Sequence, residues 1–281
     1  MDGLLLIFLF AFGLVMGSFL NVVILRYNTG KSLQGRSACF SCGTTLAWHH
    51  LVPLISFIAQ RGHCAFCGSK ISPQYPLVEL ATGILFVCSY LSAGEAGLLS
   101  PNSQLLLVFN LIATCLLIII FVYDLRHKII PDGIAYAFIG LGFIMLILRN
   151  STPFDTAGAI ADIVSAILIF FFFFSLWYFS KGTWMGLGDG KLALAMSLFL
   201  PWAENLSAII ISFWVGAGFG LLLMAYERIR AHKAVFWGPQ KTALCGKFHS
   251  MKSELPFAPF MIIAFFLVLF SQLNLFYLLI V

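Results

Sequence analysis

The chain has 281 residues, 61% of them hydrophobic and 10% charged, with a formal net charge of +5. A mean hydropathy of +1.00 exceeds what a soluble core of this size can bury, and the composition also excludes a disordered chain, a collagen-like chain and a small disulfide scaffold. The expected fold class is therefore an all-α polytopic membrane protein, in which the 16 Lys and Arg report orientation and nucleic acid is not an expected partner.

At about 20 residues per crossing, apolar runs fall at 3–25, 77–93, 105–123, 133–148, 157–179, 190–203, 206–226 and 258–280, eight candidate transmembrane helices. Asp2 precedes the first run and Arg26, Lys31 and Arg36 follow it, the reverse of a signal peptide's charge order, so it reads as an anchor with its N-terminus outside. Alternating from there, the loops 26–76, 124–131, 180–191 and 227–256 hold 5, 2, 2 and 6 of the 16 Lys and Arg, and only Arg149 lies elsewhere. That split is the positive-inside pattern. The run 190–203 has only 14 residues, but without it the 6 basic residues after 227 would face outward. It is kept as a short or broken crossing, with non-helical backbone expected around 182–190.

The loop after the first run carries Cys39-Phe-Ser-Cys42 and Cys64-Ala-Phe-Cys67, with Gly43 and Gly68 directly after the pairs. In a Cys-x-x-Cys turn both thiolates can reach one metal at about 2.3 Å, and a trailing glycine permits the backbone twist of a zinc knuckle. Two knuckles separated by 21 residues predict a four-cysteine site with structural zinc, an iron tetrathiolate being the second metal that thiolates allow. Disulfides or a redox pair are the competing readings, and a reducing cytoplasmic side weighs against disulfides. Four protein ligands leave no open position for a catalytic water, so the metal is expected to stabilise the loop. His49, His50 and His63 read as surface or packing residues, Cys88 and Cys115 as small buried hydrophobes, and Cys245 as a lone loop thiol.

Further along, the run 105–123 ends in Tyr123-Asp124-Leu125-Arg126, and the phenylalanines Phe170 to Phe174 in the run 157–179 read as lipid-facing bulk. The sixth run opens with Gly186-Leu-Gly188-Asp189-Gly190-Lys191. Asp124 and Asp189 both fall at the inner membrane boundary, where a carboxylate marks function or an interfacial pair with Arg126 or Lys191. Together they match peptide hydrolysis by a carboxylate dyad, in which one ionised Asp activates water and one protonated Asp donates to the carbonyl oxygen or leaving amine. The three glycines are expected to let the backbone bend out of helix and approach an extended substrate. Asp189 at a helix N-terminus is the expected base, and Asp124 at a C-terminus the expected acid.

In order along the chain, Gly17-Ser-Phe-Leu-Asn21-Val-Val-Ile-Leu-Arg26, the two cysteine pairs and Ile71-Ser-Pro-Gln-Tyr75-Pro-Leu-Val-Glu79-Leu are followed by Asp124-Leu-Arg-His-Lys-Ile-Ile-Pro131-Asp132, Gly186-Leu-Gly-Asp189-Gly-Lys191-Leu and Leu255-Pro-Phe-Ala-Pro259-Phe. This set resembles the type IV prepilin peptidase family, bacterial membrane aspartyl proteases of the Gly-x-Gly-Asp type. The resemblance implies a protein of the bacterial inner membrane, with its active site facing the cytoplasm, that cleaves the short basic leader of type IV prepilins or type II secretion pseudopilins. It maps Asp124 and Asp189 to the catalytic pair and implies methylation of the new amino terminus from S-adenosylmethionine, for which the sequence holds no glycine-rich nucleotide fingerprint. The chain departs from the family pattern at Phe40-Ser41, where a proline is usual, at His49-His50-Leu51-Val52-Pro53, which lacks an asparagine, and at Gly190 and Ala258.

Glu79 and Asp132 are the candidate contacts for the leader's lysines, or else structural partners of a nearby Arg or Lys, and the basic loops are expected to meet anionic lipid headgroups. The expected organisation is an anchor at 1–25, a cytoplasmic four-cysteine loop at 26–76 that the resemblance associates with methyl transfer, and a protease domain at 77–281. Three other readings stand beside this one: a presenilin-like protease, against which the cysteine loop argues, a proton-coupled transporter, and a non-enzymatic assembly subunit anchored by the zinc loop.

Overall fold

The computed structural model describes residues 2–30, 32, 34–97, 101–150, 155–236 and 256–272. Among them the architecture is all helical: α1 (Asp2–Arg26), a 3-10 turn (Trp48–His50), α2 (Ile55–Ala59), α3 (Gln74–Gly97), α4 (Pro101–His127), α5 (Asp132–Asn150), α6 (Thr156–Ser180), α7 (Leu187–Phe199), α8 (Trp202–Phe236) and α9 (Ala258–Ser271). Every expected apolar run is helical where it is described, except at Leu200-Pro201 inside the sixth run and at Gln272 in the last. Six helices, α1, α3, α4, α5, α6 and α8, are long and apolar enough to cross a membrane, and the protein is a multi-pass membrane protein. Residues 237–255 and 273–281, which hold Cys245, most of the expected loop 227–256 and the end of the last expected run, lie outside the described residues.

The short sixth run behaves differently from an ordinary crossing. α7 has 13 residues, about 20 Å at 1.5 Å per residue against a hydrocarbon core of about 30 Å. Length cannot carry it across, so burial must hold it. Leu192, Ala193, Ala195 and Met196 are fully buried, and α7 packs against α5, α6, α8 and α9. A helix apolar on all sides belongs inside a bundle. The expected non-helical stretch is also shorter than predicted, because the helix already starts at Leu187.

Close helix approach organises the other half of the molecule. Gly13 and Gly17 form a small-xxx-small face on α1, and a Cβ built on them would lie 2.7 Å from the Cα atoms of Gly83 and Glu79 respectively on α3. Only glycine allows backbones this near, and van der Waals contact then drives the pairing in lipid. Asn21 continues the seam by donating to the Tyr75 carbonyl at 3.2 Å and accepting from the Gln74 side chain at 3.3 Å. Of the five consecutive phenylalanines on α6, Phe171 and Phe172 are exposed, whereas Phe173 is 1% exposed, stacks with Phe213 and packs at a tilt against Phe257. Helical periodicity thus sends one ring of the run into the core, a correction to its reading as lipid-facing bulk.

Candidate active site and metal centre

Asp124 lies one turn before the end of α4, and Asp189 is the third residue of α7. Asp124 is buried and Asp189 half-buried. The two are brought near enough that the charge of Asp124 acts directly on Asp189. Each carboxylate also meets a helix N-terminus. Asp189 Oδ2 accepts from the Gly186 N–H at 3.2 Å, the N-cap of its own helix. The Asp124 carboxylate accepts from the Ala258 N–H at the start of α9. The second contact modifies the dipole argument drawn from sequence, since Asp124 sits near the C-terminus of α4 yet also faces the positive end of α9. Asp124 Oδ2 is buried and has no hydrogen-bond partner among the described residues.

The glycines around Asp189 work by proximity more than by unusual backbone. Gly186 is extended, with φ −76° and ψ 151°, and Gly188 and Gly190 lie within the helix, against the expectation that all three bend out of it. A Cβ on Gly188 would come 3.0 Å from Ile130 Cβ, and one on Gly190 would come 3.4 Å from Phe173 Cβ. The absent side chains let the first turn of α7 nestle between the α4–α5 turn and α6.

Asp132 opens α5, and its carboxylate pairs with Lys191 at 2.6 Å. Lys191 also lies 4.9 Å over the Tyr136 ring. Glu79 is buried on α3 and accepts from the Leu54 N–H at 2.9 Å and from Ser18. Both carboxylates therefore have protein partners: Asp132 sits beside the start of α7, whereas Glu79 faces the cysteine loop.

Reading the sequence passed over Asp162. It is 3% exposed in the second turn of α6, and it binds Arg149 at 2.5 Å, the Asn150 side chain at 3.3 Å and the Trp202 N–H at 2.8 Å. Arg149 in turn donates to the Phe199 carbonyl at 2.7 Å. The signal was available, because the only basic residue outside the inner loops and a lone carboxylate inside an apolar run are natural partners in lipid. The cluster ties α5 and α6 to the end of α7 and the start of α8, where Leu200-Pro201 interrupts the helices.

The four cysteines converge. The Sγ atoms of Cys39, Cys42, Cys64 and Cys67 all lie within 4.8 Å of one another, and all four thiols are free. The Cys39 and Cys67 sulfurs are 3.9 Å apart, close to the roughly 3.8 Å edge of a tetrahedron with 2.3 Å metal–sulfur bonds. The two turns are built alike: Cys39 N–H donates to Thr44 and Gly43 N–H to Cys39, while Cys64 N–H donates to Ser69 and Gly68 N–H to Cys64. Gly43 and Gly68 adopt φ of +72° and +68°, where a side chain would be strained. Backbone N–H groups of Cys42 and Ser41, with the Ser69 hydroxyl, hold the Cys39 thiol down at about 6, and Ser69 lowers Cys67. Thiolates are the form that binds metal.

Residues 11–93 match the bacterial peptidase A24 N-terminal domain, and residues 111–221 match the type IV leader peptidase family. A Klebsiella pneumoniae protein named prepilin leader peptidase/N-methyltransferase is 35% identical over 205 residues, 69% of this chain and 85% of its own. The chain belongs to the type IV leader peptidase family. A like-named Burkholderia pseudomallei (strain 1026b) relative is 32% identical over 269 residues, 84% of this chain and 82% of its own. Another, from Myxococcus xanthus (strain DK1622), is 33% identical over 221 residues, 78% of this chain, and the alignment spans 63% of that relative's length. No solved structure matches. In this leader peptidase family member the first match contains all four cysteines and the second contains both Asp124 and Asp189.

Proposed function

We propose that the chain is a membrane aspartyl endopeptidase that removes the short basic leader of prepilins or type II secretion pseudopilins, with Asp124 and Asp189 as its catalytic pair. Family membership supports the reaction class. The observation that carries the residue assignment is that two carboxylates from distant parts of the chain lie within electrostatic reach of each other, each receiving a helix N-terminal N–H, with one oxygen of Asp124 without a partner among the described residues.

The pair shares one proton. Asp189, which accepts the Gly186 N–H, is the base in this reading and takes a proton from water as the water oxygen bonds to the scissile carbonyl carbon. Asp124 gives the shared proton to the carbonyl oxygen. When the C–N bond breaks, the proton held by Asp189 passes to the departing amine and the proton given to the oxygen returns to Asp124, so the pair again shares one proton. The leader leaves as a carboxylic acid that ionises in water, and the mature pilin has a free amino terminus.

In this reading the dyad, the cysteine loop and the basic loops face the cytoplasm, and the chain works as an anchor at 1–25, a metal-stabilised loop at 26–76 and a protease domain at 77–281. The sulfur spacing fits zinc, which Cys39, Cys42, Cys64 and Cys67 would hold as a structural ion, cross-linking the two knuckles without entering the hydrolysis. Asp132 is the contact for a leader lysine, because its side chain is 66% exposed even while paired with Lys191. Glu79 is committed to Leu54. Methylation of the product's amino terminus is the second activity. Its methyl donor is S-adenosylmethionine.

Purified protein in lipid, incubated with a prepilin and S-adenosylmethionine, tests the reading by product mass. Asp124→Asn and Asp189→Asn are each expected to slow leader loss by about 10²–10⁴-fold. Undiminished cleavage in either variant would remove the dyad, and a product without the methyl mass would remove the second activity.

A further inference from the structure

We infer that Leu51–Ala59 is a re-entrant wedge that dips into the lipid leaflet on the cysteine-loop side, presenting Ile55 and Ile58 to acyl chains and held at depth by Glu79. The stretch Leu51-Val-Pro-Leu-Ile-Ser-Phe-Ile-Ala59 has one polar residue, Ser56, and is far too short to cross. Its depth follows from its anchor. Glu79 lies five residues inside α3 and Ser18, its other partner, eight residues before the end of α1, so the site is about 7–12 Å below the helix ends at 1.5 Å per residue. Leu54, bonded to Glu79 at 2.9 Å, must reach that level, inside the spans of α1 and α3.

The backbone is built for such a place. Non-helical chain at membrane depth is tolerated only where its polar groups are satisfied. Leu54 has φ 58° and ψ −49° and is the centre of a strained γ-turn closed by the Ile55 N–H to the Pro53 carbonyl at 2.6 Å. Pro53 has no N–H, and the Leu54 N–H points out of the turn to the Glu79 carboxylate. Ser56 donates to Val52, Ile58 to Leu54, Gln60 to Ser56 and Gly62 to Phe57, so the wedge closes its own hydrogen bonds on the way in and out. A buried Glu in a lipid-facing helix pair thus acquires a physical reason.

The side chains agree. Ile55 is 67% and Ile58 73% exposed, comparable to Leu77 at 62% on the lipid-facing side of α3. Trp48 and the pair His49-His50 precede the wedge and Arg61 follows it, an aromatic and polar flank suited to the headgroup level.

The test introduces the photoreactive residue p-benzoylphenylalanine at Ile55 or Ile58 in the full chain, in bilayers of phosphatidylethanolamine and phosphatidylglycerol, with the exposed knuckle residue Phe40 as control. Irradiation and mass spectrometry are expected to find lipid adducts at 55 and 58 and none above background at 40. The adducts should survive Glu79→Gln, which keeps a carbonyl acceptor, and fall in Glu79→Leu. Adducts at 55 and 58 no greater than at 40 would overturn the inference, as would an added prepilin becoming the sole cross-linked partner, which would make the surface a substrate seat. Should the Leu variant not fold, the wild-type and Gln measurements still decide.

Discussion

Gly188 is the residue at which the seat of Asp189 is tightest, since any Cβ there runs into Ile130. Gly188→Ala is expected to push the first turn of α7 away from the α4–α5 turn and lower the rate of leader cleavage about 10- to 100-fold, the usual cost of a displacement near 1 Å at a reacting group. Ile130→Gly, which removes the Cβ as well as the branches, should recover much of that loss in the double variant. Steady-state cleavage by the four proteins of that cycle checks it, and additive losses would show that the contact is unimportant. Residue types and spacing made Asp124, Asp189 and the four cysteines legible in the sequence. The partners of these groups were not legible: the Ala258 N–H on Asp124 comes from the far end of the chain, and no local pattern announces it.

Among the elements, α7 is the one that needs outside support. Its 13 residues are gripped at both ends by charged side chains of or paired with α5, Asp132 to Lys191 at the start and Arg149 to the Phe199 carbonyl at the finish. The two helices therefore run in the same direction, side by side. Arg149→Ala would strand Asp162 as an unpaired buried carboxylate and leave the Phe199 carbonyl without its donor. A destabilisation of about 3–5 kcal/mol is expected, read as a lower denaturation midpoint in detergent. Arg149→Met combined with Asp162→Leu should recover part of it, because removing both charges is less costly than removing one. The cysteine loop makes a second element-scale prediction. Its two knuckles have little apolar core between them, so metal removal by a chelator should unfold residues 37–70, seen as rapid amide exchange there while α3 to α6 remain protected. Exchange spread evenly over the spans, or unchanged in the loop, would contradict a structural role for the metal.

For the molecule as a whole, the 15 basic residues in alternate loops predict a single orientation in the membrane. Reporter fusions after Asn150 should be active only outside the cytoplasm, and fusions after Lys128 or Lys181 only within it. The reverse result would turn the dyad outward and away from a cytoplasmic leader. At this scale the bundle falls into two packed parts, the glycine-seamed α1–α3 pair beneath the cysteine loop and the group of α5 to α9 around α7, with α4 touching both. Asp124 sits on that shared helix.

Sequence alone determined the membrane class, the helical runs, the four-cysteine cluster and the family, because hydropathy, charge order and ligand spacing are local properties that need no knowledge of packing. It also marked Asp124 and Asp189 as costly where they stood. Only the tertiary structure decided that α7 is an inner helix held by the Asp132–Lys191 ion pair and the Arg149 bond to Phe199, that Phe173 belongs to the core, that Glu79 serves the Leu54 turn and that Asp124 also faces a helix N-terminus. Each of these depends on which surfaces meet, and contacts between residues tens to more than a hundred positions apart leave no periodic trace in the chain.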